Sequence, residues 1–147
     1  MTRNYLQGKF IPRNSAKYAG DPTKIFLRSS WERKLCVWLD THPSVLAWSS
    51  EEIVVPYYDP ATGRTRRYFP DFAAKIQTEG KIERVLIEVK PLAQTRPPVQ
   101  KSRVTKRFIT EVSTYATNQA KWEAATKWVK QNGWDRFMVI TERELKI

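Results

Sequence analysis

The order of periodic segments along this 147-residue chain predicts an α/β or α+β fold, a mixed central β-sheet flanked by helices. Three observations carry the prediction. Large apolar residues recur with helical spacing at Trp31, Leu35, Trp38 and Leu39. Three strand-like runs separated by turn chemistry follow between Trp48 and Lys90. After a long basic connection, helical spacing returns and gives way to a short apolar run, Phe137-Met138-Val139-Ile140-Thr141. At this length a single domain, 1–147, buries roughly two thirds of its unfolded surface without disulfides or a structural metal.

Residues 1–28 carry six basic side chains (Arg3, Lys9, Arg13, Lys17, Lys24 and Arg28) against the single acid Asp21, with Gly and Pro punctuation and little periodicity. They read as a basic N-terminal arm wrapping the domain, either solvated or in contact with a nucleic-acid backbone. A helix begins near Ser29, where Ser29-x-x-Glu32 fits a capping box. Glu32 is therefore first a reciprocal cap, although it shares a face with Cys36 and Leu39 beside the apolar stripe. His42-Pro43-Ser44 ends the helix, and Trp48 to Tyr57 reads as a strand around Ile53-Val54-Val55, with Pro56 marking an edge or an end. Glu51 and Glu52 read first as solvated strand residues and second as helpers of a site.

Asp59-Pro60-Ala61-Thr62-Gly63 is a turn that leads back into a strand from Arg66 to Ile76. Past the catalytic-looking strand described below, no acid occurs from Pro91 to Thr110, while Arg96, Lys101, Arg103, Lys106 and Arg107 gather around Pro97-Pro98. That segment reads as an electrostatic clamp on DNA, with an exposed linker as the rival reading. Phe108, Ile109, Val112, Tyr115 and Ala116 keep helical spacing, and Asn118 is a point where a second helix can restart. Its buried stripe is Trp122, Ala125, Trp128 and Val129, ended by Gly133. Gln119 and Lys121 are placed to face nucleic acid. The final apolar run predicts a buried strand.

Composition narrows the function. With 26 basic and 15 acidic residues the net charge is +11, which suits a polyanionic partner. Six Trp, six Tyr and six Phe exclude a disordered basic tail. The single cysteine, Cys36, excludes an internal disulfide and a Cys-rich zinc site, and reads as a small apolar helix residue. The single histidine, His42, reads as a helix-end residue without the partners of a catalytic triad. No apolar signal-peptide core opens the chain and no run approaches membrane-spanning length, so the expectation is a protein made in a reducing cytoplasm.

The chemistry concentrates between Tyr68 and Lys90. Tyr-Phe-Pro-Asp-Phe at 68–72, a polar turn at Gln77-Thr78-Glu79-Gly80-Lys81, and Val85-Leu86-Ile87 closing on Glu88-Val89-Lys90 form an antiparallel hairpin. A turn centred between Glu79 and Gly80 sets Asp71 opposite Glu88, and the strand period puts Glu88 and Lys90 on one face with Val89 on the other. Two hard carboxylate donors beside an ammonium suit Mg²⁺-assisted phosphodiester hydrolysis. Glu-x-Lys occurs four times, at 32–34, 79–81, 88–90 and 144–146, against roughly one expected by chance. Only Glu88-Val89-Lys90 ends a buried-looking strand after a Pro-Asp; the others fall in a helix, a turn and the chain end.

Pro70-Asp71 and Glu88-Val89-Lys90, preceded by a helix carrying Glu32, resemble the PD-(D/E)xK nuclease core. Together with Arg28-Ser29-Ser30-Trp31-Glu32-Arg33-Lys34 and Trp48-Ser49-Ser50-Glu51-Glu52-Ile53, they resemble the head completion nucleases of large contractile-tailed bacteriophages, over nearly the whole chain. More distantly the pattern is similar to the N-terminal catalytic domain of the transposon endonuclease TnsA. The resemblance implies a restriction-endonuclease-like fold and a Mg²⁺-dependent deoxyribonuclease, with Mn²⁺ able to substitute. Asp71 and Glu88 would hold the metal with the Val89 backbone carbonyl, Lys90 would activate or orient water, and Glu32 would complete the site. Arg28, Arg96, Lys101, Arg103, Lys106, Arg107 and Lys121 are the candidate DNA contacts. It further implies processing of packaged DNA in the host cytoplasm during head completion before tail joining, with portal or neck proteins as partners and incorporation at the head-tail junction. A non-catalytic DNA-binding head protein and a TnsA-like transposase subunit are the alternatives, and endo- and exonucleolytic cutting both stay open.

Overall fold

The computed structural model describes residues 7–146, so Arg3 and the first six residues of the predicted arm lie outside the described residues. From Gln7 onward the arm is built into the core. Strand β1 (Gly8–Lys9) pairs antiparallel with β2 (Phe26–Leu27), and a 3₁₀ turn at Ser15–Lys17 lies between them. Tyr18, Ile25 and Leu27 are buried in the main hydrophobic cluster. The buried Asp40 carboxylate accepts from the Arg13 and Asn14 backbone N–H groups at 2.8 and 3.2 Å, which ties the arm to the following helix.

Helix α1 (Ser30–Thr41) starts where the cap predicts: Ser29 Oγ accepts from Glu32 N at 3.1 Å. Its inward face is Leu35, Cys36, Leu39 and Asp40, whereas Trp38 is exposed and stacks on His42 at the helix end. The expected Trp38 core position is thus replaced by Cys36, because the sheet meets the helix one position round from the aromatic stripe.

The central sheet runs in the order β3 (Val45–Ser50), β6 (Phe72–Thr78), β7 (Lys81–Val89) and β8 (Arg136–Ile140). Its first three strands are antiparallel and β8 joins β7 in parallel, so the sheet is mixed as predicted. Glu79 and Gly80 both take positive φ, 52° and 76°, as a two-residue type I′ hairpin requires. The resulting register, Thr78 with Lys81 through Phe72 with Ile87, is the one expected from the turn. Strand β7 is buried on both faces: Val85, Ile87 and Val89 pack toward α1, and Leu86 packs toward the other layer.

Two expected strands are each split. The run 48–57 leaves the sheet at Glu51, whose φ of 54° is left-handed, and the run 66–76 breaks at Phe69-Pro70-Asp71, where Pro70 has no N–H for a ladder. The excised halves pair with each other as a separate hairpin, β4 (Val55–Asp59) and β5 (Arg64–Tyr68). That hairpin lies against α2 (Lys106–Gln131) on the face opposite α1. Of the expected one or two helices the structure has one, of 26 residues, since Asn118 is buried at mid-helix and the second helix expected to restart there does not separate. Strand β8 is a half-buried edge, and α3 (Glu142–Leu145) follows it with a capping box between Thr141 and Glu144. The chain end is therefore tied down, with Leu145 in the core.

Asp59 joins the hairpin to α2. Its buried carboxylate accepts from Ala61 N at 3.0 Å, Thr62 Oγ1 at 3.2 Å and Thr117 Oγ1 at 2.9 Å, with Arg66 3.8 Å away. Asp59→Ala strands those donors and is expected to cost about 3 kcal/mol in urea unfolding. A loss below about 1 kcal/mol would show that water replaces the carboxylate.

Candidate active site

The breaks at Glu51 and Pro70 put the candidate side chains at one end of the sheet. Asp71 no longer pairs across a ladder. Its Oδ2 instead accepts from Val89 N at 2.8 Å, while its carbonyl accepts from Glu51 N at 3.2 Å. Glu88, buried and two residues past Leu86 on the α2 face, accepts a 2.6 Å hydrogen bond at Oε1 from the Tyr68 hydroxyl. Lys90 follows on the same face, its backbone N–H held by Ile140 O at 3.0 Å and its Nζ 3.5 Å from Glu88 Oε2. Asp71, Glu88 and Lys90 are brought together as expected. Val89 takes part through its N–H.

Tyr68 is the residue that sequence reasoning missed. No period links it to Glu88, because the chain kinks at Pro70 between Tyr68 and the sheet; the only signal was its place in the Tyr-Phe-Pro-Asp run. Lys121 of α2 is near it, its Nζ 5.6 Å from the Tyr68 ring centroid and 5.8 Å from that of Tyr57. A second ammonium thus faces the carboxylates from the helix layer.

Burial, then the charge of Glu88, raises the Asp71 carboxyl well above the ordinary range, and the Val89 N–H and Lys90 only partly offset this. Burial also raises Glu88, against the opposing influence of the Tyr68 hydroxyl, Lys90 and Lys121. Tyr68 itself is pushed up by burial and by the Glu88 charge, so it stays a hydrogen-bond donor throughout the physiological range. Tyr68→Phe removes a donor that favours the ionised form of Glu88, and the Glu88 carboxyl rises further. The acidic limb of any activity that needs ionised Glu88 is then expected to move to higher pH, with a loss of about tenfold on that limb. A pH–rate profile checks this, and an unshifted limb would remove Glu88 from the titrating set.

The remaining candidates are placed less centrally. Both oxygens of Glu32 are used at the helix start, Oε1 accepting from Arg28 N at 3.3 Å and Oε2 from Ser29 Oγ at 3.2 Å. Its charge still reaches Asp71. Among the described residues no three His, Cys, Asp or Glu side chains converge as a metal-binding group. Arg28 is ion-paired with Glu51 and lies in the field of Glu32 and Asp71. Glu52 accepts from the Tyr18 hydroxyl at 3.3 Å. Arg96, Lys101, Arg103 and Arg107 line an open cleft between the proline-containing loop and the start of α2; Lys106 begins the helix, and Arg107 pairs with Glu111 at 3.8 Å.

A mixed sheet with helices on both faces and an acidic pair beside a lysine at one end of its central strands defines a restriction-endonuclease-like domain. Residues 42–142 match the TnsA-like endonuclease N-terminal family, and the chain belongs to that family. The match contains Asp71, Glu88, Lys90 and Lys121 and leaves out Glu32 and Arg28. The chain is also 41% identical to the head completion nuclease of Enterobacteria phage T4, over 143 residues that cover 95% of this chain and 93% of the relative.

Proposed function

We propose that the protein is a divalent-metal-dependent deoxyribonuclease of the PD-(D/E)xK type, a single nuclease domain in which Asp71 and Glu88 hold Mg²⁺, with Mn²⁺ able to replace it. The carrying observation is the pair of carboxyls raised by burial, and at Asp71 also by the Glu88 charge, at the sheet end, with Lys90 Nζ 3.5 Å from Glu88. Val89 N–H occupies one oxygen of Asp71 and leaves the other as a hard donor, Tyr68 O–H and Lys90 Nζ approach the two oxygens of Glu88, and the negative charge of the pair is only partly offset, which fits Mg²⁺. The Val89 carbonyl is the proposed third protein donor, and Glu32 acts on the site through its charge on Asp71. When bound, the ion supplies Lewis-acid polarisation of the phosphate and a more acidic water.

Lys90 is held by the Ile140 carbonyl at the end of the sheet, where its ammonium orients the attacking water or offsets charge on the phosphate. Tyr68 fixes the Glu88 carboxylate. Arg28, Arg96, Lys101, Arg103, Lys106, Arg107 and Lys121 contact the DNA backbone. The biological role we assign, by likeness to the phage relative, is processing of packaged DNA at head completion before tail joining. The protein would then act in the host cytoplasm, contact portal or neck proteins and enter the head-tail junction. A purely structural DNA-binding role fits less well, because two buried carboxylates whose charge is only partly offset repel a polyanion.

The test is cleavage of linear and supercoiled DNA with Mg²⁺, Mn²⁺, Ca²⁺ or EDTA, comparing wild type with Lys90→Ala at matched salt. Metal-dependent cutting that falls about 10²-fold or more in the variant, with DNA binding retained, is expected. A wild type that binds DNA and never cuts would overturn the proposal in favour of the structural role.

A further inference from the structure

Beside the catalytic strands lies a second cavity of about 220 Å³, several times the roughly 30 Å³ share of one water. It is bounded by the segment that leaves Lys90 and by the turn of α2 just before Lys121. Asn118 lines it. This residue is on the inward face of the helix and only 5% exposed. Tyr115, Pro98, Thr114 and Arg96 are among the other lining residues.

This is the wrong lining for a bare phosphate. Its most buried polar lining residue, Asn118, is neutral, apolar surface predominates, and the acidic residue Glu111 also lines the cavity. It suits a flat ring with a donor and an acceptor on its edge: an aromatic residue at Tyr115, an apolar aliphatic ring at Pro98 and an amide at Asn118 that can both give and accept hydrogen bonds. Asn118 precedes Lys121 by three residues, about 4.5 Å along the helix axis. Lys121 in turn stands over Tyr68, which holds Glu88.

We infer that this cavity binds one unpaired nucleobase of the strand being cut, stacked on Tyr115 with its edge on Asn118 and its phosphate at Arg96. The site rests on the nuclease reading for its strand but not for its binding. It makes the preferred substrate one with an unstacked nucleotide beside the scissile phosphate, at an end, a gap or a frayed duplex.

Binding is measured by fluorescence anisotropy in EDTA, so that no cleavage is needed. The probes are an eight-nucleotide oligothymidylate and an all-abasic strand of the same length and phosphate count, at matched salt. Wild type is expected to prefer the strand with bases by about tenfold, from one base–aromatic stack with its edge contacts. Asn118→Ala and Tyr115→Ala are expected to lose most of that ratio, and Tyr115→Phe to keep it, with binding of the abasic strand unchanged in all three. Equal affinity of wild type for both strands, or a ratio untouched in both alanine variants, overturns the inference. A base preference in a protein that never cuts DNA would uphold this site while removing the nuclease reading. Cleavage without any base preference would do the reverse.

Discussion

Asp71→Asn is expected to abolish cleavage, by about 10³-fold or more, while raising the melting temperature of the metal-free protein at neutral pH. The loss follows from removing the charge of a proposed metal ligand. A bound ion supplies several kcal/mol of charge stabilisation, and about 4 kcal/mol corresponds to 10³-fold. The gain follows from the raised carboxyls. Between the unfolded pKa of an aspartate and its raised folded value, the native state binds more protons than the unfolded chain, so stability falls as pH rises through that window. Ionising Asp71 in the folded protein works against burial and the Glu88 charge, which is a cost to the fold. Asparagine removes that repulsion and keeps an acceptor for Val89 N–H, which donates to Asp71 at 2.8 Å in wild type.

Differential scanning calorimetry across pH, with EDTA and then with Mg²⁺, checks both halves. The variant is expected to melt a few degrees above wild type at pH 7, the gap closing toward pH 4, and Mg²⁺ to raise the wild type alone. A variant that melts below wild type at pH 7 would mean that the pair is compensated in the folded protein and that its acids are structural.

Leu27→Ala is expected to destabilise the domain by about 2–5 kcal/mol, lowering the melting temperature by roughly ten degrees. Leu27 has no exposed surface, sits in the β1–β2 ribbon and belongs to the cluster formed by α1 and the sheet. A chain beginning at Ser29 would also lose Tyr18 and Ile25 and expose Trp48, which Tyr18 meets edge-to-face with ring centroids 4.7 Å apart; it is expected not to fold. Chemical denaturation of the point variant and circular dichroism of the truncation test this. If Leu27→Ala changes stability by less than about 0.5 kcal/mol, the segment is a removable arm.

That contrast shows what was readable and what was not. Charge and punctuation made residues 1–28 look like a solvated or DNA-bound arm. Burial of Ile25 and Leu27 depends on a surface that exists only once α1 and the sheet have met. Trp38 lost its expected core position for the same reason, since spacing identifies an apolar stripe but not which edge of it the partner covers.

The sequence by itself determined the local features: the Ser29 cap, the Glu79-Gly80 hairpin with its register, and so the approach of Asp71 to Glu88 and Lys90. Each is set by residues within about twenty positions and by backbone geometry that tolerates few alternatives. The tertiary structure alone decided the split of two strands at Glu51 and Pro70, the continuity of α2 through Asn118, and the arrival of Tyr68 and Lys121 at Glu88. These depend on which faces of distant elements are buried together. Periodicity carries no record of that choice, because burial on both sides of β7 is settled only when helices cover each face.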